Sequence, residues 1–429
     1  MKHAAPFIAL LITLCVSVSA SARTVFGNQS VAIPNGNVTL SGTLSLPTGP
    51  GPFPAVILLS GSGPQDRDEA ISVIPGFVPF KWIAEYLVRQ SVAVLRYDDR
   101  GTAKSTGTFE KGTSADFAND AEAAFNSLHN RPEIEREQIG FLSHSEGGML
   151  AAMVSARNPN VAFVISMAGP GVRGYELLIK QDERILRSMG ITSGPLYDAQ
   201  KTTKIQLDLI LAKDWAGLKA SIVPLVLKEL RALPANQKKP IAELETQAQA
   251  LAQQGVEETK GWLPFFIGYD VASDWAKVRV PVLGLFGGLD VQVDAGQNRR
   301  GLGAALALGG NTDLTVRVFP SANHLFQVAK TGSPDEYAKL PMAFVPGFLD
   351  TLRDWLRAHL RTLRPVPIPH RPPDRRRHWT GQGTAGGALS HQWLRAVMLS
   401  TRYRASLRAQ GNGPGPVQKP VPVRPGGSP

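Results

Sequence analysis

Cysteine is almost missing from this chain. Its 429 residues hold one, Cys15, and that one lies in a stretch expected to be removed. A mature chain without a thiol has no disulfide, no cysteine nucleophile and no thiolate metal site. Such a chain suits an oxidising compartment. Long apolar runs are scarce beyond the first two dozen residues. The exception, "AAPFIALLITLCVSVSASA", follows the basic "MKH" and ends in Ala20-Ser21-Ala22. This small-x-small ending reads as a cleavable signal peptide over 1–22, and the apolar core is short for a membrane span. Export, to the periplasm or the medium, is the expectation.

Acids are nearly absent from the C-terminal tail. From Arg361 to Pro429 there are 12 Lys or Arg and a single acid, Asp374, which leaves 34 basic and 34 acidic residues in the first 360. The net charge of +11 therefore belongs to the tail, and the neutral body gives no reason to expect a nucleic-acid partner. Segments such as "RPVPIPHRPPDRRRH" and "GNGPGPVQKPVPVRPGGSP" cannot bury a core, so 361–429 reads as a disordered, basic Pro/Gly/Arg-rich tail. Residues 390–410 set Trp393, Val397, Tyr403 and Leu407 among arginines. A weak basic amphipathic helix on an anionic surface is a second reading there, and a solvated tail is the favoured one.

What is present is a series of short apolar runs. Residues 29–48 alternate apolar and polar around Asn35-Gly36, the pattern of a hairpin. Continuous runs ending in glycine or polar turns follow at 53–64, 91–101, 139–148, 161–171, 280–290 and 314–324, as buried strands do. Helical stretches at 80–90, 114–130 and 147–158 stand between them. The alternation predicts a mostly parallel central sheet with helices on both faces. It stops between 172 and 275, a Leu-, Ala-, Lys-, Gln- and Glu-rich region with no strand-like run. That region reads as an inserted helical cap dividing a core of 23–171 and 276–360; a separate bundle with no role at the site is the alternative.

The segment "FLSHSEGGML" (141–150) places Ser145 after a strand pattern and before a helical one, the context of a nucleophile elbow. A sharp strand–helix turn demands small residues two positions away. Gly147 meets this demand, and Ser143 meets it less well. A serine hydroxyl needs a base, and the base needs an orienting carboxylate. Of the eight histidines, His3 falls in the leader, and His370, His378 and His391 fall in the tail. His129 and His359 lie in helical stretches, and His144, next to Ser145, should point elsewhere and be structural. His324 remains, in a loop after a strand, where α/β sheets place their chemistry. Asp290, closing "VPVLGLFGGLD", is favoured as the acid over Asp294, which lies past the turn. Oxyanion donors are expected from the Glu146 N–H and, in the loop "SGSGP" (60–64), from the Ser62 N–H, with Gly63 its neighbour. A phosphate cradle is discounted there because no Gly-Lys-Ser/Thr follows.

With these pieces placed, the chain resembles the α/β-hydrolase superfamily, in particular secreted bacterial serine esterase-like members. The likeness rests on "LLSGSGPQDRDE" (58–69), "LRYDDRGTAKSTG" (95–107), "SHSEGG" (143–148), "GGLDVQV" (287–293) and "SANHLFQ" (321–327). The resemblance implies an α/β-hydrolase fold and a Ser145–His324–Asp290 triad cleaving small-molecule carboxylic esters through an acyl-enzyme. It implies no metal and no organic cofactor. Peptidase or acyl thioesterase activity by the same triad, and a catalytically inactive binding protein, are the alternatives. The stretch "GWLPFFIGYD" (261–270) offers either pocket lining or core. Two departures from the family pattern, Ser143 and Ala103 where glycines are usual, are expected to add strain without loss of activity.

Overall fold

The computed structural model describes residues 26–233 and 239–361. The leader expected over 1–22, and all but the first residue of the tail expected over 361–429, lie outside the described residues. Eight strands form one sheet: β1 (Phe26–Asn35), β2 (Val38–Pro47), β3 (Phe53–Leu59), β4 (Ala93–Tyr97), β5 (Ile134–His144), β6 (Val164–Met167), β7 (Val282–Gly287) and β8 (Leu314–Phe319). Their order is β1-β2-β4-β3-β5-β6-β7-β8. β2 runs antiparallel to both neighbours, and every other neighbouring pair is parallel. The six apolar runs of the sequence are β3 to β8. Val56, Ile57, Val94, Leu95, Phe141, Leu142, Val164, Ile165, Leu283 and Leu285 along the sheet centre are shut from solvent. Burial on both faces is why β3 to β7 read as continuous rather than alternating, whereas β8, at the sheet edge, leaves Thr315, Val316 and Arg317 exposed.

β5 starts five residues before its apolar run. Its first part, "IEREQ", pairs Phe53 with Ile134 across an irregularity in register. Glu135, Arg136 and Glu137 stay at the surface, so a reading keyed to hydrophobic runs misses them. The hairpin turns through Gly36 and Asn37, with Asn35 paired to Val38.

Of the helices, α1 (Pro79–Val88) follows β3, α2 (Ser114–His129) follows β4, and α3 (Glu146–Ser155) springs directly from β5. Between β6 and β7 stand six more: α4 (Gly174–Ser188), α5 (Ser193–Leu211), α6 (Trp215–Arg231), α7 (Ile241–Thr259), α8 (Trp262–Gly268) and α9 (Ala272–Trp275). Then α10 (Ala295–Leu308) follows β7, and α11 (Phe348–His359) follows β8. α1 packs with α11, while α2, α3, α9 and α10 form a second connected row. In the six-helix segment, Leu218, Ile222, Val226 and Leu230 of α6 face Leu244, Ala248, Ala252 and Val256 of α7. Both sets repeat every four residues, the spacing that lines one helix face, and the small residues of α7 admit the larger ones of α6.

Candidate active site

Ser145 stands at the junction of β5 and α3 with φ 52° and ψ −123°. A non-glycine residue in that region is strained and persists only when its surroundings hold it. The surroundings are tight. A Cβ on Gly147 would lie 2.4 Å from the Leu59 carbonyl oxygen and 2.7 Å from that of Ser60, and one on Gly148 would lie 2.8 Å from both Gly169 Cα and Ser166 Oγ. Both glycines are thus required for α3 to pass this close to β3 and β6. Ser143 fits where a glycine was expected because its hydroxyl donates to the Ile165 carbonyl at 3.0 Å. Ala103 has no such relief: its φ is 48°, in the left-handed region.

The loops after β7 and β8 bring Asp290 and His324 together. His324 Nδ1 lies 2.8 Å from Asp290 Oδ2. The Asp290 carboxylate is fully buried, and its other oxygen accepts the N–H groups of Gln292 and Val293 at 2.8 and 2.9 Å. These bonds lock the carboxylate plane and hold the histidine ring. Asp294 does something else. It caps α10, accepting the Gln297 N–H at 2.8 Å, and faces Arg184.

The loop after β3 lies against the serine: a Cβ on Gly61 would come within 3.1 Å of Ser145 Cβ. Its geometry is set by three acids, Asp98, Asp99 and Glu69. Asp99 accepts Ser60 Oγ at 3.0 Å and the Gln65 N–H at 2.9 Å. Asp98 takes the Arg67 N–H and its guanidinium. Glu69 accepts the Gly61 N–H at 3.0 Å, so that amide is occupied and Ser62 is the next along the loop.

Both neighbours of Ser145 carry buried ionisable side chains. Glu146 Oε1 accepts Ser114 Oγ and Trp262 Nε1, each at 2.6 Å, and Ser62 also bonds to this carboxylate. Burial raises its pKa, opposed by the Ser114, Trp262 and Ser62 donors. His144 was expected to point away. Instead its ring lies 4.7 Å from that of His324, with Nδ1 2.7 Å from Glu69 Oε1 and Nε2 3.0 Å from the His324 carbonyl oxygen. The nearest sequence signal was the "DRDE" of 66–69, an acid cluster in a loop that otherwise needs none.

Ser145, His324, His144, Ser62 and Glu146 line one cavity of about 310 Å³. Its walls include Ile71, Val73, Leu177, Phe266, Val293 and Leu325, and the side chain of Gln181. The Gln181 amide has no hydrogen-bond partner among the described residues. The aromatic stretch 261–270 divides between roles: Phe266 lines the cavity, Trp262 stacks on it and holds Glu146, and Leu263 and Ile267 are core. Among the described residues no group of three or more His, Cys, Asp or Glu is arranged to hold a metal ion.

The family described as serine aminopeptidase, S33, matches residues 78–328. The chain is 29% identical over 301 residues to esterase EstD of Thermotoga maritima, covering 70% of this chain and 61% of that one. It spans about three fifths of that relative's length. Among solved structures, the esterase Pf2001 of Pyrococcus furiosus aligns over 78% of this chain and 91% of its own, at 17% identity and a TM-score of 0.46. The proline iminopeptidase of Mycobacterium smegmatis aligns over 77% of this chain and 98% of its own, at 16% identity and a TM-score of 0.44.

Proposed function

The chain belongs to the family described as serine aminopeptidase, S33, and has the α/β-hydrolase fold; from there we propose that it is a serine hydrolase of small carboxylic esters. The observation that carries this reading is Ser145, held in a left-handed turn inside the cavity that also contains His324, itself bonded to buried Asp290. With Nδ1 held by the carboxylate, His324 Nε2 is left to take the Ser145 proton as Oγ attacks the ester carbonyl carbon. The oxyanion forms beside the Glu146 and Ser62 amides, each such donor contributing about 3 kcal/mol. His324 then gives its proton to the leaving alcohol. Water repeats the sequence on the acyl-enzyme, releasing the acid and restoring the serine.

Esters are favoured over peptides by the acids of the cavity. An aminopeptidase needs a carboxylate for the substrate's free amine. Glu69 and Glu146 are already bonded within the site, which leaves Asp335 as the remaining acid of the lining. The other walls suit an apolar acyl chain, with Leu177 of α4 and Phe266 of α8 contributed by the helices we read as a cap. Gln181, with its unpartnered amide, offers a hydrogen bond to a polar substituent of that chain.

The test is labelling with a fluorophosphonate probe, with turnover of p-nitrophenyl esters of graded chain length and of aminoacyl p-nitroanilides. We expect labelling at Ser145, ester turnover above anilide turnover, and a loss on the order of 10⁶-fold in Ser145→Ala with the fold kept. A folded Ser145→Ala protein that still turns over esters would reject the assignment.

A further inference from the structure

His144 immediately precedes Ser145, is 6% exposed, and has an oxygen at each ring nitrogen: Glu69 Oε1 at Nδ1 and the His324 carbonyl at Nε2. A neutral imidazole has one N–H and one lone pair. The His324 carbonyl can only accept, so Nε2 carries a hydrogen. At Nδ1 the proton belongs either to the ring or to Glu69. The same Glu69 oxygen also accepts the Gly61 N–H, which favours the carboxylate. The ordinary pKa of imidazole, about two units above that of a carboxyl group, favours the ring as well.

We infer that His144 is held as an imidazolium paired with the Glu69 carboxylate, and that this buried pair is the positioning device of the active site. Its functional part rests on the hydrolase reading above. Through Glu69 the pair grips Gly61, next to the expected oxyanion donor Ser62. Through Nε2–H it grips the backbone of His324, whose N–H is bonded to the buried Tyr337 hydroxyl. One side chain adjoining the nucleophile thus ties the oxyanion loop to the histidine loop. Glu69 is built for this: 2% exposed with φ 51°, it holds a backbone conformation that a non-glycine residue keeps only when its environment fixes it.

The charged groups facing the ring are Glu69 from the loop after β3, Asp290 after β7 and His324 after β8, with Glu146 on its own turn. Burial works against charge on His144, but Glu69, the His324 carbonyl and Asp290 outweigh it and raise the pKa above the ordinary imidazole value. The bonds of the charged ring are therefore fully present below that ordinary value and are lost as pH rises through the raised one. His324 must be neutral to act as base. Activity should accordingly fall in alkali as His144 loses its proton.

The experiment uses the full chain, imidazole ¹⁵N resonances assigned with a His144→Gln variant, and kcat and KM against pH for a p-nitrophenyl ester in wild type and Glu69→Gln. At pH 7.5 we expect both His144 nitrogens protonated. Glu69→Gln should move the alkaline limb to lower pH and reduce kcat by about 10²-fold, as small misplacements of reacting groups do, with KM little changed. A neutral His144 at pH 7.5 overturns the inference, as does folded Glu69→Gln with the wild-type kcat and profile. If Glu69→Gln does not fold, His144→Gln takes its place and should abolish the alkaline limb; an unchanged limb overturns the inference. If the wild type turns over no ester, the hydrolase reading fails, while the ring protonation still decides the ion pair.

Discussion

Asp290 and Asp294 stand four residues apart, and separate variants distinguish them. Asp290 holds the His324 ring, so Asp290→Asn should leave the imidazole in the wrong tautomer and reduce kcat by about 10⁴-fold, with the melting temperature little moved. Asp294 caps α10, so Asp294→Ala should cost about 1 kcal/mol of stability and leave kcat near wild type. Paired kinetics and thermal melts decide this, and exchanged outcomes would transfer the acid role to Asp294. The two departures from the family pattern also separate at this scale. Ser143 is absorbed by its bond to Ile165, whereas Ala103 adopts a left-handed φ. Ala103→Gly should therefore raise stability, by about 1 kcal/mol or less, since glycine relieves the steric penalty but frees the unfolded chain. A lower melting temperature would contradict this.

Among the elements, the turn between β5 and α3 is where three parts of the chain meet. His144 reaches the loop after β3 through Glu69, and Glu146 reaches Ser62 of that loop, Ser114 of α2 and Trp262 of α8. The helical segment between β6 and β7 is thus fastened to Glu146, the residue after Ser145, by an indole N–H. Trp262→Phe removes that donor from a buried carboxylate and should destabilise by about 1–3 kcal/mol. The pH dependence has a definite sign. The Glu146 pKa is already raised and should rise further without the indole. A carboxyl group whose folded pKa lies above its unfolded one loses stability as pH rises through the folded value. Denaturant melts should show a larger deficit at alkaline than at acid pH; an equal deficit at both would separate the indole from the carboxylate.

For the whole molecule, the neutral body and basic tail divide the charge, and the body closes before the tail begins. Leu352, Trp355 and Leu356 of α11 and the following Leu360 are buried, and the Arg361 N–H is taken by Gln138. A chain ending at Arg361 should keep the turnover and melting temperature of the full chain. Any binding of the full chain to anionic vesicles should be weakened by salt and absent after truncation. Reduced turnover in the truncated chain would place part of the site in the tail.

Buried parallel strands carry continuous apolar runs, so β3 to β7 and the helices between them were legible from the order of residues, and β8, at the sheet edge and largely exposed, was legible from its β-branched residues. So was the interruption by helices after β6. Ser145, His324 and Asp290 could be singled out because the chemistry of a serine nucleophile demands particular residue types at strand ends, and few residues met the demand. The polar start of β5 escaped because the solvated Glu135, Arg136 and Glu137 at that end of a central strand carry no hydrophobic signature. The contacts of Asp98, Asp99, Glu69 and His144 escaped for another reason. Each joins segments distant in sequence, from 31 to 180 residues apart, and periodicity reports only on neighbours along the chain. Local pattern determined the elements and the chemical types at their ends. Only the packed sheet, by bringing the loops after β3, β5, β7 and β8 to one edge, decided which charges touch, and it placed His144 inside the site.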